Sequence, residues 1–495
     1  MFSFVCGIIL LIVGYFTYGK LVEKILSPDD RPTPAVTKND GVDFMVLPGW
    51  KAMLIQLLNI AGIGPVIGVI IGIKFGAVVF WIIPIGNLIG GAVHDLVSGF
   101  MSMRSGGANL AELVRRSCGR YVYGVFSAFV SFLLLLVVAV FINVPAKIIS
   151  DGFFSGQNNI FWIAVGVIFV YYIVATLFPI DKIIGRFYPI FGAMLVLGSL
   201  AIMVKLAIDA VGDPALLQES AGFKAHMFTA ENNHPILPLL FVTIACGIIS
   251  GFHATQSPII ARTLKSERLA RPCFYGMMVL EGVIAMIWAA AGLAIYNLFN
   301  ELMAKNPNFV LTEITRHFLG GKVGGITLLS VIILAVTSGD TAMRSLRLTL
   351  AEMLHLSQKK ALMRILLCLP LVVAVALLLY WSNSNAQAFG KLWNYFAWGN
   401  QVLSAITLMG CTVYLYSLKK PFVVTLLPGV FMTFIVVSYI VWTSAAHSGP
   451  AGFGMELNNS YIVGGAVALL AAVLAIWQGT RKRRLNDPDW LAREE

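Results

Sequence analysis

Long apolar runs, each bounded by short polar or basic stretches, recur along almost the whole of the 495-residue chain. A helix of about 20 apolar residues crosses a ~30 Å hydrocarbon core, and irregular backbone at that depth would strand N–H and C=O groups without partners. The pattern predicts thirteen membrane-spanning helices, at 2–23, 52–73, 76–102, 121–143, 158–178, 187–211, 237–261, 271–298, 322–350, 361–381, 388–416, 422–446 and 460–479. Nothing is left over for a soluble domain, so the expected fold class is an all-α membrane protein of about 13 transmembrane helices.

Two of these runs are interrupted at mid-depth. The second carries Asn59, Gly62, Gly64 and Pro65, and the seventh carries Gly247, Ser250, Gly251, His253, Thr255, Gln256, Ser257 and Pro258. Proline removes a helix donor and clashes with the preceding turn, and paired glycines let a helix unwind, so both segments are expected to expose backbone near the bilayer midplane. Interrupted helices in corresponding positions of two halves point to a transporter built from inverted repeats. The positions correspond: spans two to six form one set of five and spans seven to eleven the next, entered from the opposite face. The expected organisation is a peripheral first helix and linker at 1–50, a first five-helix repeat at 51–211, a second at 212–416, and two peripheral helices with a basic tail at 417–495. A plainer reading of Gly and Pro, as packing or kink residues, competes at either segment alone and loses ground when both stand in register.

Composition sharpens the class. With 58% hydrophobic and only 12% charged residues and a mean hydropathy of +0.84, the chain cannot be an ordinary water-soluble domain. The first run has no basic residue ahead of it, Lys20 and Lys24 behind it and no small-residue cleavage site, which suits an uncleaved anchor with its amino end outside. On that orientation, segments on the inner side hold 27 of the 35 Lys and Arg, as the positive-inside rule expects for an odd number of spans. Topology therefore explains the net charge of +11, and no nucleic-acid partner is needed; the expected partners are membrane lipid and a small-molecule or peptide substrate. The six cysteines are scattered, which supports neither a disulfide scaffold nor a zinc site.

Ionisable groups inside a membrane are costly and point first to function. His94 and Asp95 lie in span three, Glu281 in span eight and Asp340 in span nine, each able to carry a proton or meet a cation. Plainer fates compete: His94 and Asp95, adjacent in sequence, should point to different helix faces and one of them could bond a backbone carbonyl, and Asp340 could pair with Arg344 four residues on. Thr337, Ser338 and Thr341 could bond their own helix carbonyls or, set against carbonyls of an unwound second span near Ala61, offer hard oxygens to sodium. Asn394, Asn400 and Gln401 of span eleven sit among Trp393, Tyr395, Phe396 and Trp398, a grouping that reads as an interfacial belt or as a substrate wall. No Walker A, Gly-x-Ser-x-Gly or His-Glu-x-x-His pattern is present, and no nucleophile–base pair stands out, so an enzyme is not expected.

The runs Leu57 to Pro65, Gly91 to Gly99, Ser250 to Pro258 with Ala261 to Leu264, and Asp340-Thr341-x-x-Arg344 together resemble the carbon starvation protein A (CstA) family of secondary transporters. The resemblance covers about 50 to 350 and implies a five-plus-five inverted-repeat core, leucine-transporter-like, with discontinuous helices 2 and 7, in a bacterial inner (cytoplasmic) membrane. It further implies uptake of short peptides or pyruvate during carbon starvation, driven by protons. Asn59, Gly62, Gly64, Ser250, Gly251, His253, Thr255 and Gln256 are the expected substrate-binding residues. Ala61, His94, Asp95, Glu281, Thr337, Ser338, Asp340 and Thr341 are the expected coupling residues. No cofactor is expected beyond a coupling ion, H⁺ or Na⁺, so a sodium-coupled symporter of amino acids or related solutes stays open. From another class, an ion or solute channel would spread polar residues along several helices, whereas here they concentrate at mid-depth.

Overall fold

The computed structural model describes residues 2–492 other than 42, 155, 178–179, 220–227, 229–232, 357, 359, 385–387, 445–450 and 486–489, with backbone only for the rest of 176–189 and for 361. Of the basic residues counted above, Lys182, Arg186, Lys359 and Arg493 therefore lie outside the described side chains. Helix stands at every predicted position. Among the described residues ten helices are long and apolar enough to cross a membrane, or eleven if the bent pair Gly49–Ile60 and Gly64–Phe75 counts as one span. The two remaining segments are helical without meeting that test: the seventh is divided into short pieces, and Ala388–Ser417 is diluted by Asn394, Asn400 and Gln401.

Both expected interruptions are present. The second segment runs as helix from Gly49 to Ile60, leaves helical winding at Ala61 to Ile63, and resumes at Gly64 after a bend of 55°. The seventh runs in short pieces to Ile248, passes through extended Ile249 and Ser250 (φ −163° and −132°), and restarts as Gly251–Ala261. The two breaks touch. A Cβ on Gly64 would stand 2.3 Å from the Cβ of Cys246, so only glycine lets the second half of span two lie against span seven.

Charged stretches extend three helices beyond or outside the apolar runs. The fourth continues to Phe153. The ninth begins at Pro307, with Gly320 at φ +70° separating an amphipathic first part from the apolar remainder. Leu110–Cys118 buries Leu110, Leu113 and Val114 while Glu112, Arg115 and Arg116 pair on its polar side.

The fourth and ninth helices pack along their lengths, the first lies on the third and eighth, and the twelfth and thirteenth pack on each other and on the eleventh. Ion pairs gather the basic loops at one end of the bundle. Arg104 meets Glu267 at 2.8 Å, Arg268 meets Asp30 at 3.0 Å, Arg271 meets Glu23 at 2.7 Å, and Lys420 donates to the Leu26 carbonyl at 2.6 Å. Glu112 is held below the ordinary carboxylate range; burial opposes this, and the hydrogen bonds from Arg115 and Arg116 outweigh it.

Candidate transport site

Asp95 sits in the third helix, fully buried, with both oxygens engaged by imidazoles. His94 Nδ1 lies 2.8 Å from Oδ1 and His253 Nδ1 lies 3.0 Å from Oδ2. A carboxylate only accepts, so each ring presents its protonated Nδ1. His94 and Asp95 were expected on different faces; their side chains leave the helix about 100° apart and are long enough to meet above its surface.

His253 extends the chain of groups. It lies in the third residue of the restarted helix Gly251–Ala261, so the break in span seven sets its direction. Its Nε2 is 3.7 Å from Glu281 Oε2, an ion-pair rather than a hydrogen-bond distance, and the Ile60 carbonyl at the end of the first half of span two faces the same ring. Among the described residues neither Glu281 oxygen has a hydrogen-bond partner, nor does His94 Nε2, and all four side chains are at most 1% exposed. Span three, both broken spans and span eight thus converge on one buried carboxylate–imidazole cluster.

Span eleven holds the break open. Asn400 Oδ1 accepts from the Phe252 N–H at 2.6 Å, which caps the restarted helix; its Nδ2 donates to Ser250 Oγ at 2.8 Å, and Gln401 donates to the Ile249 carbonyl at 3.1 Å. These are the free backbone groups that an interrupted helix must satisfy. Gly251 packs against span eleven, where a Cβ would stand 2.3 Å from the Asn400 carbonyl oxygen. Thr255 bonds back to the Phe252 carbonyl, and Gln256 donates to Thr255 and to Ser345.

The span-nine residues form a second group. Ser338 donates to the Leu58 carbonyl at 2.9 Å, tying span nine to the end of the first half of span two beside Ala61. Thr337 and Thr341 bond carbonyls of their own helix. Asp340 stands with Tyr171 of span five at 3.4 Å, and Arg344 reaches the Ala175 carbonyl and Asp43. Gly62 faces the ring of Phe141, which meets Phe252 and Phe396 edge-on at 5.8 and 6.0 Å. Phe396 is buried, so this part of span eleven belongs to the interior rather than to an interfacial belt.

Sequence reasoning missed two features. Asn400 and Gln401, which the sequence offers as wall or belt, also bond the backbone at the break in span seven. The second is Gln56, buried one turn before Asn59; among the described residues none of the four amide atoms of this pair has a partner. A polar residue at i−3 on a helix ending in Gly-x-Gly-Pro was the available signal. Among the described residues no group of three or more His, Cys, Asp or Glu is arranged to hold a metal ion.

A family model for carbon starvation protein CstA matches residues 1–177, 153–318 and 316–439. The chain belongs to the CstA family. It is 40% identical over 340 residues to an uncharacterized membrane protein of Haemophilus influenzae, covering 60% of this chain and 91% of that one. It is 26% identical to the peptide transporter CstA of Campylobacter jejuni over 57% of this chain and 48% of the relative. With the pyruvate/proton symporter BtsT of Escherichia coli it shares 24% identity over 64% of this chain and 52% of the symporter. The chain thus spans about half the length of these named family members.

Among solved structures it superposes on a manganese transporter of Eremococcus coleocola with a TM-score of 0.57, at 17% identity over 90% of this chain and 99% of that one. It superposes on MhsT in complex with L-phenylalanine with a TM-score of 0.52, at 12% identity over 88% and 99%. Likeness at this identity shows the fold alone. The fold is of the leucine-transporter type, as the sequence led one to expect.

Proposed function

We propose that this family member is a secondary active transporter that imports a small carboxylate-bearing nutrient, a short peptide or pyruvate, together with protons across the bacterial inner membrane, with its amino terminus outside and its carboxyl terminus in the cytoplasm. The observation that carries the reading is His253 at the restart of broken span seven, joined to Asp95 and facing Glu281 and the Ile60 carbonyl of broken span two.

With both carboxylates ionised and both imidazoles neutral, the buried cluster carries two negative charges, which a low-dielectric interior tolerates poorly. Two protons neutralise it. Loading therefore favours the closed packing seen here, and release requires an opening to water. A proton that stabilises one conformation over another biases alternating access. The substrate carboxylate would meet N–H groups at the breaks, since the positive end of a half-helix attracts an anion, with Asn59 as a side-chain donor. Relatives named for peptides and for pyruvate with protons support the substrate class and the coupling ion.

The Ser338 bond to the Leu58 carbonyl favours a second reading, in which those oxygens hold sodium. Uptake of radiolabelled pyruvate and alanyl-alanine into proteoliposomes under separate proton and sodium gradients tests both. The proposal expects accumulation of at least one solute with an inward proton gradient alone. Accumulation with sodium alone would favour the second reading, and transport of neither solute under either gradient would remove the substrate assignment.

A further inference from the structure

Gln56 and Asn59 stand one turn apart on the first half of span two, on a helix face that runs to the break. Both are wholly buried, and among the described residues neither the carbonyl oxygen nor the NH2 group of either side chain has a partner. Other buried amides are used: Asn87, Asn143, Gln256, Asn400 and Gln401 each donate at least one hydrogen bond. Two adjacent amides left dry and unpaired are costly, and such a cost is borne where a ligand supplies the missing bonds.

Their place is beside the break and the carboxylate–imidazole cluster. The carbonyl of Ile60, next in the chain to Asn59 and one turn on from Gln56, faces the His253 ring, and the Leu58 carbonyl takes the Ser338 hydroxyl. The same half-helix packs on the restarted helix of span seven and on span eight. In the closed packing the pair is shut off from water, so the opening that alternating access supplies is what brings it a partner.

We propose that Gln56 and Asn59 are the specificity-determining pair of the transport site, selecting a carboxylate-bearing solute that also carries N–H groups over one that offers oxygens alone. The inference rests on the transport reading above. Each side-chain amide presents two donors and an acceptor. Pyruvate has acceptors only, so both amide oxygens would stay unpaired around it, whereas a peptide N–H or an α-ammonium group answers them. A site built to pair with an N–H rejects the analogue that lacks it, because its own polar group is then left bare.

The full chain, purified in detergent, is melted against rising alanyl-alanine and rising pyruvate, for wild type and for Gln56→Met, which keeps the side chain's length and removes its polar atoms. Wild type is expected to half-saturate with alanyl-alanine at a concentration at least about tenfold below that for pyruvate. Gln56→Met should lose most of that preference through weaker alanyl-alanine binding, with pyruvate little changed. Without ligand its Tm should equal or exceed that of wild type, since an unpaired buried amide has been removed. The proposal is overturned if wild type binds pyruvate as tightly as alanyl-alanine, if alanyl-alanine gives no response, if Gln56→Met keeps the wild-type preference or weakens both ligands alike, or if it melts lower or fails to fold, which would give the amide a structural role. Uptake of the same two solutes into proteoliposomes separates this from the transport reading: selective binding without uptake sinks the carrier and leaves the pair, and pyruvate uptake without alanyl-alanine binding does the reverse.

Discussion

Asp95 accepts from two imidazoles through separate oxygens, so a change of charge there is felt by both rings and, through His253, by Glu281. Asp95→Asn keeps the shape and removes the charge that balances protonated His253. Proton-driven uptake is expected to fall at least about tenfold, equivalent to ~1.4 kcal/mol, while exchange of labelled for unlabelled substrate at equal pH persists. Unchanged proton-driven uptake would make the cluster structural. Asn400→Leu keeps the volume but takes an acceptor from the Phe252 N–H and a partner from Ser250. An orphaned buried donor costs roughly 1–3 kcal/mol, so Tm should drop clearly; a Tm equal to wild type would show that the break does not need its cap.

Among the helices, the breaks and the contacts between them decide the arrangement. Gly251→Leu should abolish transport through packing: the added side chain meets the Asn400 carbonyl and the Ser404 N–H of span eleven before it reaches any substrate space. Gly251→Ala already meets those atoms, so it should lower both Tm and uptake. A variant with wild-type Tm and no uptake would instead place Gly251 in the substrate path. Hydropathy located the apolar spans because a bilayer demands them, and Gly-x-Gly-Pro and Ser-Gly marked the breaks because only such residues release a helix backbone. It overlooked Leu110–Cys118 and the start of the ninth helix at Pro307, where Glu112, Arg115, Glu313 and Arg316 lower the mean while the apolar face still packs. Within the site, His94, Asp95 and Glu281 were legible singly as costly charges. That His253 joins them, and that Asn400 caps the break 150 positions from Ser250, depends on how distant helices pack, which no local pattern records.

Across the whole molecule, ion pairs at the basic end tie together loops that are far apart in sequence. At the same end Glu112 pairs with Arg115 and Arg116 of its own helix, and there the pH consequence can be followed. Its lowered pKa contributes stability above the ordinary Glu value, and this is lost as pH falls through the lowered one; because the pair is partly exposed, the contribution is small. Glu112→Gln should therefore lower Tm slightly at pH 7, by a difference that shrinks as pH falls below the ordinary Glu range, checked by thermal melts across that range. Equal Tm at pH 7 would leave the pairs without weight.

In the proposed mechanism protons and solute share one buried site between two broken helices. The most direct measurement follows internal pH with a trapped dye in proteoliposomes as pyruvate or alanyl-alanine is added outside under an inward proton gradient. Wild type is predicted to acidify the lumen only when a substrate is present, in proportion to its uptake, and Asp95→Asn to lose that acidification. Substrate uptake by wild type with no proton movement, persisting after the gradient is collapsed, would contradict it.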